Sequence, residues 1–198
     1  MEDLSVMTDE ALAISYANGN NRAFDELLSR NQSKLFSYIL FVVRNREVAD
    51  DVFQETFVKV ITRLQQGRYS PSGKFGAWLV HIAHNIIMDL YRSQKVQKII
   101  DTSSDNDLSN IGEESLLSLD IESKYVNTQV LRDVRKMMNL LPASQREVVY
   151  MRFSQQLSFK EIADMTNVSI NTSLGRMRYA ILNLRRMAKE HHITLQLT

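Results

Sequence analysis

The sequence predicts an all-α protein made of two small helical domains that are joined by a flexible acidic linker. Apolar residues recur at helical spacing through most of the chain, which contains only six glycines. The stretch from Ile99 to Glu122 breaks this pattern with seven acids and no Lys or Arg, as is typical of a mobile linker. The stretch from Ser158 to Arg186 then has the pattern of a helix-turn-helix. We therefore assign residues 1–96 to the first domain, 97–122 to the linker and 123–198 to the second domain.

Composition limits the class of protein. With 198 residues, of which 44% are apolar, the chain can bury two small cores. It has no run of about 18 apolar residues, so we expect no membrane insertion. Its first residues are acidic where a signal peptide needs a basic end and an apolar centre, so we expect a cytoplasmic protein. The absence of cysteine excludes disulfides, thiolate zinc sites and cysteine nucleophiles.

No catalytic or cofactor site is evident from the sequence. His81 and His84 have the i, i+3 spacing of two metal ligands, but no acid completes a ligand set on the same face, so we expect no metal. The chain has no phosphate-binding loop, and no Ser or Thr stands in a nucleophile motif. We therefore expect a protein that is not an enzyme and that needs no cofactor.

Three helices are predicted at the start of the chain. Thr8 caps a helix that ends near Asn18, a central core helix runs from about Arg22 to Val43, and Asn45 starts the third helix. The buried side of the third helix is predicted to be apolar, with Ala49, Phe53, Phe57, Val60 and Leu64. Its opposite side is mainly acidic, with Glu47, Asp51, Gln54, Glu55, Val58 and Thr62. This acidic side is either a solvated surface or a docking face for a basic partner helix.

Residues 66–76 are predicted to form a loop because they are rich in Gly, Pro and Ser. The loop carries two cations and two aromatic rings at Arg68, Tyr69, Lys74 and Phe75. Interleaved cations and rings suit single-stranded nucleic acid, because bases stack on the rings while the cations contact phosphates.

A fourth helix follows this loop, with Phe75, Leu79, Ile82, Ile86 and Leu90 turned inward. Trp78 lies at the edge of that stripe, as part of the core or as a platform for a base. Asp89 is predicted on the core side, paired with an Arg or capping backbone groups. One flank suits phosphates and unstacked bases, with His81, His84, Asn85, Met88, Tyr91, Arg92 and Lys95.

The second domain is predicted to begin with a helix from about Ser123 to Leu140. Pro142 then starts another helix, with Ser144 and Glu147 as a capping box. The predicted core residues of this helix are Val148, Val149, Met151 and Phe153. The helix-turn-helix has a capping box of Ser158 and Glu161, and Ser169 caps its second helix. The buried stripe of that second helix is predicted to contain Met177, Ala180, Ile181 and Leu184.

The opposite face of this last helix has a composition that suits a DNA major groove, with Asn171, Thr172, Gly175, Arg178, Tyr179 and Arg186. Asn and Arg can form paired hydrogen bonds with purine edges, and glycine allows the backbone to come close. From Ser123 onward the chain holds 12 basic and five acidic residues, as a phosphate-binding domain would. An ordinary solvated face is the alternative.

Taken in order, these parts resemble the extracytoplasmic-function group of bacterial RNA polymerase sigma factors over nearly the whole chain. In the first domain the similar residues are Ala49 to Phe57 (ADDVFQETF), Trp78, Leu79, Ile82, Ala83, Asn85, Asp89 and Arg92. In the second domain they are Leu141, Pro142, Gln145 to Val148, Ser158, Glu161 to Ala163, Thr172, Arg176, Leu184 and Arg185.

The resemblance implies a subunit that binds core RNA polymerase and directs it to promoters. The third helix would dock on a coiled coil of the polymerase clamp through Asp50, Asp51, Gln54, Glu55 and Val58. The loop and the fourth helix would recognise and melt the minus-10 element through Arg68, Tyr69, Lys74, Phe75, Trp78, His81, His84, Asn85, Met88, Arg92 and Lys95. The helix-turn-helix would read the minus-35 element through Lys160, Ser169, Asn171, Thr172, Leu174, Gly175, Arg176, Arg178 and Tyr179. The implied partners are core polymerase and promoter DNA, with an anti-sigma protein as a further candidate.

The chain departs from the family pattern at three points. Asn171-Thr172-Ser173 stands where the family usually has Gly, Thr and an apolar residue, and Leu174 and Gly175 replace a commonly basic and a small polar residue. His84 replaces a common Arg, and the loop is particular to this chain. The resemblance therefore leaves the promoter sequences open.

Two other functions fit parts of the sequence. A two-domain regulator would bind operators through the second domain and sense a ligand or a partner through the first. An adaptor protein would bind no DNA at all, and salt-dependent DNA binding would count against it.

Overall fold

The computed structural model describes residues 3–100 and 136–190, with side chains for residues 3–93 and 136–190. The chain divides into two compact units, Met1–Ser118 and Leu119–Thr198, and each is described by itself. Within the described residues all regular structure is helical, which confirms the predicted all-α class. The predicted linker, apart from residues 97–100, the first part of the predicted helix from Ser123 and the C-terminal tail lie outside the described residues.

The first unit consists of a short 3₁₀ turn and four α-helices. The turn is Leu4–Val6, and the helices are α1 (Asp9–Ala17), α2 (Asn21–Val43), α3 (Arg46–Gln65) and α4 (Phe75–Ile100). These boundaries agree with the predicted helices to within a few residues, and α4 ends four residues beyond the predicted end of the domain at residue 96.

The ends of the helices are closed by the residues that the sequence offers there. Thr8 and Asn45 accept hydrogen bonds from the third residues of α1 and α3 through their side chains, as predicted. Gly19 and Gly67 follow α1 and α3 with φ of 99° and 64°, a conformation that glycine adopts without strain. After Gly67, the N–H of Arg68 donates to the carbonyl of Arg63, which completes a Schellman motif.

The core of the first unit is built around α2, which packs against α1, α3 and α4. Its largest fully buried side chains include Leu12, Leu27, Tyr38, Ile39, Leu64, Leu79, Ile82 and Ile87. A row of rings, with neighbouring centroids 4.9–6.2 Å apart, links α1, α2 and α3 through Tyr16, Phe24, Phe57, Phe53 and Phe36. Edge-to-face contacts of this kind stabilise the packing beyond the area that they bury.

Arg30 of α2 holds the N-terminal turn against the core. Its guanidinium donates to the carbonyl oxygens of Leu4, Ser5 and Met7 at 3.1, 2.8 and 2.7 Å. It also pairs with Glu26 at 2.7 Å and with Asp9 at 3.3 Å. The planar fork of an arginine can serve several acceptors at once, so one side chain orders a segment that makes few apolar contacts of its own.

The second unit contains the helix-turn-helix. Residues 136–139 are helical, and they are followed by α5 (Ala143–Phe153), α6 (Phe159–Met165) and α7 (Ile170–Glu190). Both halves of the predicted capping box are formed, because Ser158 accepts from the N–H of Glu161 and the Glu161 carboxylate accepts from the N–H of Ser158. Both α5 and α6 pack against α7.

Three predictions for this unit are wrong. The capping box of Ser144 and Glu147 does not form, because α5 starts at Ala143 and Ser144 lies inside it. Phe153 is 70% exposed, since it lies on the opposite side of α5 from the buried Met151. Ile181 is exposed as well, because the two short helices cover only a narrow stripe of α7, which contains Ser173, Met177, Ala180, Met187 and Ala188.

We predict that Asn45→Ala lowers the free energy of unfolding of the first unit by about 1 kcal/mol, because the variant leaves the N–H of Val48 without its 3.0 Å acceptor. The change is measured by urea unfolding followed through the fluorescence of Trp78, the only tryptophan. Asn21→Ala is the matched control, since Asn21 is exposed at the first position of α2 and its side chain makes no hydrogen bond with a described residue. An equal loss in both variants would contradict the capping role of Asn45.

Candidate functional site

The turn of the helix-turn-helix fixes where α7 begins. Asn167 adopts a left-handed conformation with φ of 51°, and the N–H of Val168 donates to the carbonyl of Ala163 at 3.1 Å. Asn is one of the few residues other than glycine that accept this conformation readily. The hydroxyl of Ser169 then accepts from the N–H of Thr172 at 3.0 Å, which confirms the predicted cap of α7.

The predicted minus-35 residues lie on α6, at the cap of α7 and in the first half of α7. Those that are exposed are Lys160, Ser169, Asn171, Thr172, Leu174, Arg178 and Tyr179, whereas Gly175 and Arg176 are half-buried. We call this set the recognition surface. Because its members on α7 lie opposite or beside the buried stripe, packing against α5 and α6 leaves them available to a partner.

Gly175 has no packing role among the described residues. A methyl group added at this position, inside α7, would meet no described atom within 4 Å other than the neighbouring backbone of its own helix. Glycine in the middle of a helix costs about 0.5–1 kcal/mol relative to alanine, so the protein accepts this cost without an internal benefit. A close approach of a partner's surface to the backbone of α7 would supply one.

At the junction of the loop and α4, three aromatic rings form one cluster. Tyr69 lies 4.7 Å from Trp78 and 5.5 Å from Phe75, centroid to centroid, and Phe75 lies 5.6 Å from Trp78. Tyr69 and Trp78 are half-buried, so each retains some accessible surface, while Arg68 and Lys74 are exposed beside them. We call these five residues the aromatic loop cluster.

The flank of α4 is less accessible than the sequence predicts. His84 and Phe75 are each only 3% exposed, because both lie on the side of α4 that packs into the core. A side chain with so little surface cannot contact DNA in this conformation, so we remove both from the expected contacts. His81, Asn85 and Met88 are half-buried, Arg92 is exposed, and the side chain of Lys95 lies outside the described part.

The prediction for Asp89 is wrong in its location. Asp89 is exposed rather than turned toward the core, because the burial of α4 fades after Ile87. It does pair with an arginine, since its carboxylate accepts from Arg92 at 2.6 Å. The flank that the sequence indicated to be free of acids therefore contains a carboxylate next to its arginine.

Two groups near the loop have shifted pKa values. Burial raises the pKa of Tyr69 to about 12, and the nearby carboxylates of Glu10 and Asp9 add to this shift. The hydroxyl oxygen of Tyr69 is buried and makes no hydrogen bond with any residue that the structure describes. Burial lowers the pKa of His81, and the neighbouring His84 and Arg63 add to this shift, so the neutral imidazole is favoured.

The acidic face of α3 is exposed, as predicted. Asp51, Gln54 and Glu55 surround Val58, which is 62% exposed. Lys59 pairs with Glu55 at 2.7 Å, and Arg46 pairs with the half-buried Asp50 at 3.9 Å. Among the described residues, no cation lies within ion-pair distance of Asp51 or Glu47, so these two carboxylates of the face are open to an external partner.

Sequence reasoning missed Glu10. Its carboxylate accepts a 3.0 Å hydrogen bond from the N–H of Phe75, at the start of α4. The two residues are 65 positions apart, so no periodic pattern connects them. The only indication in the sequence was that Lys74, directly before α4, has no side-chain oxygen with which to cap this helix, so that an acceptor from elsewhere was needed.

The described residues contain no group of three potential metal ligands, and no helix among them is long and apolar enough to cross a membrane.

We predict that Tyr69→Phe does not lower the stability of the first unit near pH 8, because the lost hydroxyl has no partner. Above pH 10 the unfolded wild-type chain loses the tyrosine proton while the folded chain keeps it up to about pH 12. Wild-type stability therefore falls in this window by a contribution that the variant lacks. Urea unfolding at about pH 8 and pH 11, followed by Trp78 fluorescence, checks this, and a constant difference between the two proteins would contradict it.

Comparison with known families divides the chain as the two units do. The sigma-70 region 2 family matches residues 27–96, which contain the acidic face of α3 and the aromatic loop cluster. The sigma-70 region 4 family matches residues 131–173, which contain the turn of the helix-turn-helix and the start of α7. Together the two regions account for more than half of the chain.

Individual proteins show the same likeness. The ECF RNA polymerase sigma factor BldN of Streptomyces coelicolor is 31% identical over 149 residues, 73% of this chain and 52% of BldN, so the chain spans about half the length of that relative. The ECF RNA polymerase sigma factor SigW of Bacillus subtilis is 23% identical over 177 residues, 87% of this chain and 92% of SigW. The fold is similar to that of the sigma factor RpoE, which was solved in complex with the anti-sigma factor NepR from Bartonella quintana. The TM-score is 0.63 at 21% sequence identity, and the match covers 84% of this chain and 96% of the RpoE chain. The chain therefore belongs to the extracytoplasmic-function group of bacterial RNA polymerase sigma factors, which are transcription initiation factors rather than catalysts.

Proposed function

We propose that this protein binds core RNA polymerase in the cytoplasm and directs it to promoters that have two separate elements. The observation that carries this proposal is that one chain has two exposed surfaces of different chemistry, each of which suits a different form of nucleic acid. The first unit presents half-buried rings beside exposed cations, and the second presents a helix-turn-helix with an exposed polar face. The first suits unstacked bases and the second suits duplex DNA.

The recognition surface would read the minus-35 element in the major groove. Asn171 and Arg178 can each form two hydrogen bonds with a purine edge, and Leu174 can contact the methyl group of a thymine. Lys160 and Arg176 would contact phosphates and so set the register of α7 on the duplex. The bare backbone at Gly175 gives the groove wall room to come close.

The aromatic loop cluster and the accessible part of the α4 flank would hold the melted minus-10 strand. Separating a base pair costs a few kcal/mol, and part of this cost is recovered when an unstacked base packs against an aromatic ring. The half-buried rings of Tyr69 and Trp78 supply such surfaces, while Arg68, Lys74 and Arg92 can attract the phosphates. His81, Asn85 and Met88 complete this proposed strand path, which excludes Phe75 and His84.

The acidic face of α3 would dock on the clamp coiled coil of core polymerase. Asp51 and Glu55 offer carboxylates to a basic helix, Gln54 offers an amide, and Val58 supplies an apolar centre for the contact. Asp50 would act at the edge of this face, because it is half-buried and paired with Arg46. The match of residues 27–96, which contain this face, to the sigma-70 region 2 family is the reason to favour docking over a solvated surface.

An anti-sigma protein is a further proposed partner, supported by the similarity to RpoE, which was solved with NepR. The alternative function, a regulator that binds operators without polymerase, fits the second unit equally well. It leaves the acidic face of α3 and the aromatic loop cluster without a role. An adaptor that binds no DNA leaves the recognition surface unexplained as well.

Run-off transcription with purified bacterial core polymerase tests the proposal. The template is a pooled library of genomic promoter fragments, transcribed with and without the protein. New start sites that depend on the protein would support it, and alignment of their upstream sequences would provide both promoter elements. If no start site depends on the protein while it still shifts duplex DNA by itself, the regulator function replaces this one.

We predict that Asp51→Arg weakens binding to core polymerase by more than about tenfold, because a cation beside Val58 would meet the basic partner helix on the docking face. Affinity is measured by fluorescence anisotropy of the labelled protein titrated with core enzyme. Asp25→Arg makes the same charge change at an exposed site on α2 and should leave the affinity unchanged. Wild-type affinity of Asp51→Arg, with a normal melting curve, would contradict the proposed docking face.

We predict that Arg178→Ala weakens binding to the minus-35 duplex by about 1–3 kcal/mol and reduces the preference over a scrambled duplex, if Arg178 contacts a base edge. Arg186→Ala removes the same charge about two turns further along α7, where Arg186 lies 3.8 Å from Glu190. This control should weaken both duplexes about equally, because it affects only phosphate attraction. An unchanged preference in Arg178→Ala would assign the base contacts to other residues of the recognition surface.

A further inference from the structure

The N-terminus of α4 is not capped by its own sequence. The carbonyl of Lys74 accepts from the N–H of Trp78 at 3.1 Å, which makes Lys74 the N-cap residue. A lysine side chain has no oxygen that could accept from the free N–H groups of the first turn. That turn also contains no acid that would offset the positive end of the helix dipole.

Glu10 supplies the missing acceptor from a different helix. Its Oε1 accepts from the N–H of Phe75 at 3.0 Å, and the contact is partly buried. The carboxylate therefore satisfies one of the free donors of α4 and brings a negative charge to the positive end of the dipole. A charged acceptor makes a stronger hydrogen bond than a neutral one, so this contact is an effective restraint on the first turn of α4.

The same helix, α1, also holds the other end of the loop. Gln65 is the last residue of α3, and its Nε2 lies 3.1 Å from the hydroxyl oxygen of Tyr16. Tyr16 is buried, and its ring packs against Phe24 of α2 at 5.0 Å. Residues 66–74 therefore span two points that are both attached to a single nine-residue helix.

The position of α1 is in turn fixed by α2. The two oxygens of Asp9 accept from Asn31 at 2.9 Å and from Arg30 at 3.3 Å. Asn31 is buried and also donates to the carbonyl of Leu27 within α2. These contacts fix α1 on the central helix of the core. Because α1 also contacts both ends of the loop, the position of the loop depends on the position of α1.

We propose that Glu10 is a positioning residue for the aromatic loop cluster. By holding the N–H of Phe75, it sets the first turn of α4 and with it the relative positions of Phe75, Trp78 and Tyr69. This inference rests on the proposed binding of the minus-10 strand by that cluster. A direct contact between the Glu10 carboxylate and DNA would be repulsive, so its contribution to DNA binding runs through the geometry of the loop.

The test uses the full-length chain bound to core polymerase. The probe is a forked DNA that carries the promoter elements obtained by run-off transcription, with the minus-10 non-template strand left single-stranded. Glu10→Ala should bind this probe about fivefold more weakly than wild type, the size of effect that a lost capping interaction produces. Glu10→Gln keeps an oxygen acceptor and should stay within about twofold of wild type.

Asp25 provides a control in which the loss of a negative charge is expected to change DNA affinity in the opposite direction. Removing an acid without a structural effect favours DNA binding, so Asp25→Ala should bind the fork as tightly as wild type or slightly more tightly. Glu10→Ala removes the same charge, and we expect it to weaken binding. A Glu10→Ala protein that binds the fork as well as Asp25→Ala would therefore overturn the inference.

Binding to core polymerase separates positioning from a loss of fold. The docking face lies on α3 of the same unit, so unfolding would weaken both polymerase and fork binding, whereas a displaced loop weakens only fork binding. We expect Glu10→Ala to bind core polymerase with wild-type affinity, and an equal loss for both ligands would overturn the inference. Absence of any wild-type transcript would instead overturn the proposed function, and this inference with it.

Discussion

The backbone groups at helix ends form the constraint on which the functional surfaces of this protein depend. The first four N–H groups and the last four carbonyls of a helix have no partner within it, and each must find one elsewhere. Ser169 supplies an acceptor for α7, Gly67 allows the end of α3 to close on itself, and Glu10 reaches α4 from a separate helix. The start of α7 lies at the recognition surface, and the end of α3 and the start of α4 lie at the aromatic loop cluster, so each of these helix ends adjoins a surface for which we propose a DNA partner.

Burial then decides which face of each helix remains available. In a unit of a few short helices, every helix has one side committed to the core, so the opposite side is the only one that a partner can contact. On α3 that side is acidic around Val58, and on α7 it is polar with a bare backbone at Gly175. The two faces differ in charge and chemistry, which is consistent with the two different partners that we propose for them.

Local sequence signals predicted most of the helices and the two units, because caps such as Thr8, Asn45 and Ser158 act within a few residues. In α3 the face assignment was largely correct, since Ala49, Val60 and Leu64 are buried, although Phe53 and Phe57 are only half-buried. The face assignments failed where neighbouring helices cover only a narrow stripe. Ile181 and Asp89 are exposed because neighbouring helices cover only part of α7 and α4. The contact between Glu10 and Phe75 was beyond reach, since only the tertiary fold brings the two residues together.

The exposed ion pair between Arg92 and Asp89 places a carboxylate next to one of the cations of the proposed strand path. A phosphate that approaches Arg92 must displace a carboxylate 2.6 Å away, so a weak and transient encounter with arbitrary DNA gains little from this cation. A strand that is already held by other contacts stays long enough for the exchange to occur. On the proposed strand path, Arg92 would therefore add more to the affinity for a strand that is already bound than to the rate of first encounters. The neighbouring carboxylate would in this way lower nonspecific DNA binding by the free protein.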